Sequence, residues 1–124
     1  MVPDPSAAMS VSHVDGAVVL SVAGSLDIAS ATGFRRLVNE LLVEARVRLV
    51  VDLTDIDFVD SVGLGVLVSA HRRTRGLRGG MILVVDGDPV TRLLRLTGLD
   101  RVFRVAATRA QALAGEGDTA VRRP

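Results

Sequence analysis

The stretch from Val47 to Leu67, VRLVVDLTDIDFVDSVGLGVL, joins a buried strand pattern to a helix pattern through an acidic segment. Residues 47–53 are apolar at nearly every position, which is typical of a strand covered on both faces in an α/β sheet. Residues 54–60 predict a loop. A helix is expected from Ser61 to about Leu77, because its last turns carry arginines that complement a helix carboxyl end. A central strand that feeds a helix indicates an α/β fold.

The sequence before this stretch predicts a hairpin and an amphipathic helix. Asp15 and Gly16 separate two β-branched runs, and this dipeptide tolerates the positive φ angles of a tight turn. Antiparallel strands are therefore expected at about 9–14 and 17–23. Apolar residues then recur at helical spacing, which predicts a helix packed on the sheet. These residues are Phe34, Leu37, Val38, Leu41, Leu42 and Ala45.

The sequence after the stretch continues to alternate strands with helices. Residues 80–86 predict another buried strand. The next helix is expected to begin with Asp88 as N-cap and Pro89 at the first helical position, and to end at Gly98. A short strand over 101–106 completes the predicted sheet. Each crossover helix then connects two neighbouring strands.

The last helix begins with the capping-box spacing of Thr108 and Gln111. One domain is predicted over 9–114, preceded by a flexible extension, 1–8, and followed by a disordered tail, 115–124. The predicted order is β-β-α-β-α-β-α-β-α. The fold class is α/β, with a mixed, largely parallel sheet of four to five strands, an opening β-hairpin and about four helices.

Composition excludes several kinds of chemistry. The chain has no cysteine and no lysine, which excludes thiol catalysis, Schiff-base chemistry and a phosphate-binding Walker lysine. Its net charge of +1 is unlike the strongly basic balance of a nucleic-acid binder. No apolar run is long enough to cross a bilayer. We therefore expect a cytoplasmic protein without direct nucleic-acid or membrane binding.

Ser61 has two interpretations based on its neighbours alone. Its hydroxyl could cap the following helix, a contribution of about 1 kcal/mol, and a phosphate there would still be tolerated by the positive end of the helix dipole. Alternatively Ser61 could be a catalytic nucleophile, but the surrounding residues do not form Gly-x-Ser-x-Gly. His13 in the hairpin and His71 beside arginines are the only candidate bases, and both are expected to be structural.

Two further features leave alternatives open. Clustered aspartates after the central strand could bind Mg²⁺ or accept phosphate, although the lysine of such phosphoacceptor sites is absent; they are Asp52, Asp55, Asp57 and Asp60. Gly63 and Gly65 each cost a helix about 1 kcal/mol relative to alanine. Either the helix packs closely on its own sheet, or the backbone of a partner approaches Gly63.

Three motifs resemble those of the anti-sigma factor antagonists, which are single STAS domains of bacteria. The motifs are GSLDIASA, VVDLTDIDFVDSVGLGVL and LLRLTGLDRVFRV, and together they cover almost the whole ordered chain. The resemblance implies that Ser61 is the phosphorylated residue. It also implies a partner-binding set of Asp27, Asp57, Asp60, Ser61, Val62, Gly63 and Leu64. Val62 stands where some members of the family have a second serine or threonine.

The resemblance implies a partner switch in bacterial stress-response transcription, not an enzyme. The unphosphorylated antagonist would bind an anti-sigma factor serine kinase, which itself binds ATP, and free the sigma factor. Phosphate on Ser61 would end that binding until a phosphatase removes it. No cofactor or metal is implied, and a monomer is expected before binding. The alternatives are a STAS scaffold subunit without phosphoregulation and a small serine hydrolase.

Overall fold

The computed structural model describes residues 7–115. The predicted flexible extension, 1–8, lies outside them except for residues 7 and 8, which begin the first strand, and the predicted disordered tail, 115–124, lies outside them except for Gly115. The order of strands and helices agrees with the sequence prediction, with one short 3₁₀-helix added. The elements are β1 Ala7–Val14, β2 Ala17–Leu26, α1 Ala31–Leu41, β3 Arg48–Val59, α2 Ser61–Gly76, β4 Gly80–Val84, α3 Asp88–Thr97, the 3₁₀-helix Leu99–Arg101, β5 Arg104–Ala106 and α4 Arg109–Leu113.

The five strands form one mixed sheet in the order β1-β2-β3-β4-β5. β1 and β2 are antiparallel, and the other neighbouring pairs are parallel. The turn between β1 and β2 has φ of 50° at Asp15 and 79° at Gly16, as the sequence predicted for a tight hairpin. The predicted α/β fold class is confirmed. The carboxyl ends of β2, β3 and β4 therefore meet at one edge, where binding sites of such sheets are usually found.

The sheet carries an apolar core on each face. The larger core lies between the sheet and α1, α2 and α3, and Phe34, Leu67 and Phe103 are fully buried in it. The smaller core lies under α4, where Ala112 packs on Val50 and Ile82. Leu49 and Val51 belong to the larger core and Val50 to the smaller one, which confirms that β3 is central and covered on both faces.

β3 is longer than predicted, and this is the main correction to the fold. Residues 54–60 were expected to form a loop, but β3 continues to Val59. β2 also continues to Leu26 and pairs with this part of β3, with Ser25 opposite Phe58 and Leu26 opposite Val59. Two register shifts between these strands accommodate the polar segment. The extension carries Asp60 and Ser61 to the carboxyl edge of the sheet.

Smaller corrections concern the ends of helices. α1 stops at Leu41, so Ala45 is exposed instead of packing on the sheet. α3 begins at Asp88 itself, and its N-cap position is taken by Gly87, whose φ of 138° favours glycine. β5 is shorter than predicted because the 3₁₀-helix includes Arg101 and the Phe103 N–H donates back to the Leu99 carbonyl, so pairing starts only at Arg104. The predicted cap at Gly98, with φ of 75°, is confirmed.

The short helix α4 has the predicted cap. The Thr108 hydroxyl accepts a hydrogen bond from the Gln111 N–H at 3.1 Å. The Gln111 side chain accepts from the Ala107 N–H at 3.0 Å, one residue before the position that a capping box would use. Within residues 7–115, no helix is both long enough and apolar enough to span a bilayer.

Candidate functional site

Asp60, not Ser61, caps α2. The Asp60 carboxylate accepts a hydrogen bond from the Gly63 N–H at 2.8 Å, and Ser61 is the first residue of the helix. The predicted capping role of Ser61 is therefore wrong. Aspartate and serine are equally good caps, and the helix begins one residue earlier than a Ser61 cap would require, so Asp60 takes the N-cap position. Ser61 is exposed, and its hydroxyl makes no hydrogen bond to another described residue. The hydroxyl is consequently available to a partner.

The Asp60 carboxylate also joins two elements that are distant in sequence. Its second oxygen accepts a hydrogen bond from the Ile28 N–H at 3.1 Å, across 32 residues of chain. The Asp60 N–H in turn donates to the Leu26 carbonyl at 3.2 Å. The β2–α1 loop is thereby attached to the amino end of α2 at the carboxyl edge of the sheet.

The β2–α1 loop is held by its own side chains. The Asp27 carboxylate accepts from the N–H groups of Ala29 and Ser30 at 3.0 and 3.1 Å. Ser30 is fully buried, and its hydroxyl donates to the Ser25 carbonyl at 2.8 Å. Asp27 therefore shapes the loop, while its contact with a partner stays a prediction. Ser30 was not identified from the sequence, where it is one of several small polar residues.

Two residues of the predicted partner-binding set lie beneath the surface. Gly63 is buried, and a Cβ placed there would collide with the Leu26 carbonyl. Leu64 is also buried and belongs to the larger core. Close packing of α2 on its own sheet thus explains Gly63. Gly65 faces open space instead, so the structure gives it no packing reason.

Three large exposed apolar residues lie on the segments that meet at the amino end of α2. Ile28 is 73% exposed, Phe58 54% and Val62 38%. We call Ile28, Phe58, Ser61 and Val62 the docking face. Phe58 also lines a shallow groove with Pro89 and Leu93 of α3. Ile28 and Phe58 were missed from the sequence, because their exposure depends on the long β3 and on the attached loop; Asp57, a predicted partner residue, is exposed beside them.

The predicted cluster of acidic residues is divided between two sides of the sheet. Asp52 lies within β3 under α4, where its carboxylate pairs with the Arg109 guanidinium at 2.7 Å. Burial alone would raise the pKa of Asp52, but hydrogen bonds from Thr54 and Arg109 outweigh it and hold the pKa below its ordinary 3.8. Asp60 is at the amino end of α2. Within residues 7–115, no three acidic or histidine side chains come together as a metal site.

Neither histidine can serve Ser61 as a base. His13 pairs with Val18 at the sheet edge opposite the carboxyl ends of the parallel strands. His71 is ten residues along α2 from Ser61, which corresponds to about 15 Å at the rise of an α-helix. Its ring instead packs edge-on against Phe103, with centroids 5.6 Å apart. The arrangement needed for a serine hydrolase is not formed.

The half-buried His71 ring should make the protein sensitive to acid. Burial and the nearby Arg75 charge lower the pKa of His71 below its ordinary 6.5, and the buried Nδ1 atom has no hydrogen-bond partner among the described residues. The unfolded state then binds the proton first, so the free energy of unfolding should fall as the pH drops below about 6.5. Urea denaturation at pH 7.5 and 5.5 measures this loss.

The matched variant is His71→Phe, which keeps a ring against Phe103 but cannot be protonated. It should lose less stability than the parent protein over the same pH interval. An equal loss in both proteins would assign the acid sensitivity to other groups.

The comparisons identify the class of protein to which this fold and site belong. The STAS domain family model matches residues 8–112, and the chain belongs to that family. It is 32% identical over 114 residues to the anti-sigma-F factor antagonist RsfB of Mycobacterium tuberculosis (strain ATCC 25618 / H37Rv), with 91% of each chain covered. The family resemblance inferred from the sequence motifs is therefore confirmed.

Solved structures give the same result. An anti-sigma factor antagonist from Mycobacterium paratuberculosis superposes with a TM-score of 0.82 at 32% identity, covering 92% of this chain and 96% of that one. The phosphorylated form of the Bacillus cell fate determinant SpoIIAA superposes with a TM-score of 0.68 at 22% identity, covering 87% and 98%. The latter likeness supports the fold alone.

Proposed function

We propose that this protein is an anti-sigma factor antagonist that acts by partner switching. In its unphosphorylated form it binds an anti-sigma factor with serine kinase activity and thereby frees the sigma factor. The kinase, which carries the ATP, transfers phosphate to Ser61 and ends the binding, and a phosphatase restores it. The observation that carries this proposal is the exposed Ser61 hydroxyl, which makes no hydrogen bond within residues 7–115 and belongs to the docking face.

The docking face has the chemistry expected of a switchable interface. Ile28, Phe58 and Val62 offer apolar anchors, and buried aromatic and aliphatic anchors supply most binding energy in protein interfaces. A phosphate on Ser61 would bring about −1.5 to −2 charges to this surface. The amino end of α2 tolerates the charge because its dipole is positive there. The fold therefore survives a modification that the interface does not.

The comparisons support the same activity. RsfB, which is 32% identical to this chain, is named as an antagonist of an anti-sigma-F factor. By the same reasoning the chain works as a cytoplasmic binding protein that needs no cofactor or catalytic group of its own. It meets its partner as a monomer, and Asp27, Asp57 and Asp60 border the surface that the partner covers.

Phosphorylation by a purified anti-sigma factor kinase tests the proposal. The protein and its Ser61→Ala variant are incubated with candidate kinases and ATP, and the phosphate is located by mass spectrometry. We expect one phosphate on Ser61 and none on the variant. The exposed Ser69, two turns further along α2, is the internal control and should stay unmodified.

Two results would contradict the proposal. A stable complex with an anti-sigma factor kinase but no phosphate on Ser61 would favour the STAS scaffold alternative. Phosphate shared equally between Ser61 and Ser69 would show that the kinase does not recognise the docking face.

A further inference from the structure

The two oxygens of the Asp60 carboxylate have different partners. One accepts from the Gly63 N–H in the first turn of α2, and the other accepts from the Ile28 N–H in the β2–α1 loop. A single N-cap bond is enough to begin a helix. The second bond therefore has another consequence: it fixes the position of Ile28, the most exposed of the three apolar residues of the docking face.

The β2–α1 loop, residues 27–30, needs the hydrogen bond from Ile28 to Asp60 for its position relative to α2 more than for its internal conformation. Within the loop, the Asp27 carboxylate and the Ser30 hydroxyl hold residues 27–30 through several short hydrogen bonds. Within residues 7–115, the bond from the Ile28 N–H to Asp60 is the one recorded hydrogen bond between loop residues 27–29 and the start of α2. If this bond broke, the loop would keep its internal hydrogen bonds but would no longer be attached to the start of α2.

A phosphate on Ser61 would act directly on this carboxylate. Ser61 follows Asp60 in the chain, at the first position of α2. A phosphate there offers three acceptor oxygens, which favour the N–H groups of the first helical turn, including that of Gly63. Its negative charge also repels the neighbouring carboxylate. Both effects displace the Asp60 side chain from the position in which it reaches Ile28.

We propose that Asp60 is a positioning residue that couples phosphorylation of Ser61 to the β2–α1 loop. Phosphate displaces the Asp60 carboxylate, the Ile28 N–H loses its acceptor, and the loop no longer presents Ile28 to the partner. This inference rests on the proposed function. It adds that the switch withdraws an apolar anchor as well as placing charge in the interface.

Amide hydrogen exchange followed by NMR tests the coupling without any partner protein. Phosphoserine is introduced at position 61 during synthesis, so no kinase is needed. We expect exchange of the Ile28 amide to become about tenfold faster or more, because a lost bond to a charged acceptor removes its protection. The Ala29 amide is bonded within the loop to Asp27 and should change less than about twofold.

Two asparagine variants separate positioning from capping. Asp60→Asn keeps a good N-cap but has one acceptor oxygen, so it cannot serve Gly63 and Ile28 together. Its Ile28 amide should exchange rapidly already, with less than about a twofold further change on phosphorylation. Asp55→Asn removes the same charge from an exposed position on β3 and should behave like the parent protein. Asp60→Ser, a second capping residue, should repeat the result of Asp60→Asn.

The inference is wrong if phosphoserine leaves Ile28 exchange within about twofold of the unmodified protein, or if Ala29 accelerates equally, which would mean that the whole loop opens. Neither result affects the proposed function, since the kinase assay measures phosphate on Ser61 and not the exchange rate of the Ile28 amide. Conversely, a kinase that never modifies Ser61 would contradict the proposed function while the coupling stays measurable in the synthetic phosphoprotein.

Discussion

Replacing Ser61 by aspartate is expected to weaken binding to the anti-sigma factor kinase by about 100-fold. Like charges at an interface cost several kcal/mol, and each 1.4 kcal/mol is a tenfold change in affinity, so a loss of about 2.8 kcal/mol is a moderate estimate. Ser61→Ala should bind within about threefold of the parent protein, because the Ser61 hydroxyl makes no hydrogen bond within the described residues.

Unfolding cannot produce this loss of affinity. Aspartate at the first position of α2 interacts favourably with the positive end of the helix dipole, by about 0.3–1 kcal/mol. Ser61→Asp should therefore unfold at the same urea concentration as the parent protein, or slightly higher. A thermal or urea midpoint that falls together with the affinity would contradict the interpretation that charge in the interface is responsible.

Ser69→Asp is the matched control, with the same charge change on an exposed residue of the same helix. Titration calorimetry with the purified kinase compares the variants in one buffer. We expect Ser69→Asp to bind within about threefold of the parent protein, since it lies about 12 Å along the helix from Ser61. Equal losses at both positions would mean that overall charge, not the docking face, governs binding.

The order of the elements could be predicted because it depends on local pattern. The apolar run at 49–51 indicates a strand covered on both faces, whichever strands are its neighbours in the sheet. Asp15-Gly16 requires a tight turn, and Gly98 takes the left-handed conformation that ends α3. None of these features depends on a residue far away in the sequence.

The details of the site depend on contacts that are distant in sequence. Residues 54–60 include three aspartates and predict a loop, but residues 54–59 belong to a strand because this segment pairs with the backbone of β2. Ser61 and Asp60 are equally suitable caps, and the structure places Asp60 where its second oxygen also meets the Ile28 amide, 32 residues away. The exposure of Phe58 follows from the same strand extension.

Gly63 and Gly65 had the same interpretations from sequence, and the structure separates them. A Cβ on Gly63 would collide with the Leu26 carbonyl oxygen and lie 2.8 Å from its carbon and 3.1 Å from a methyl group of Val59. A Cβ on Gly65 would meet nothing within 4 Å. The two glycines are one half-turn apart on α2, so one faces the sheet and the other faces outward.

Gly63→Ala is therefore expected to destabilise the fold by about 3 kcal/mol, at the upper end of the usual cost of overpacking, because the obstructing atoms are backbone and cannot rotate away. For a domain of this size, that loss lowers the unfolding temperature by more than about 10 °C. Urea and thermal denaturation measure both quantities. An unfolding temperature within about 3 °C of the parent protein would contradict the close approach of α2 to β2.

Gly65→Ala is the matched control and should change stability in the opposite direction. The same substitution in open space gains up to about 1 kcal/mol, because alanine is the better helix former. The affinity of this variant for the kinase also tests whether the partner covers the exposed surface of α2 at Gly65. If it is more stable yet binds the anti-sigma factor kinase about tenfold more weakly, the partner approaches the backbone of α2 at Gly65. Unchanged affinity would confine the interface to residues nearer Ser61.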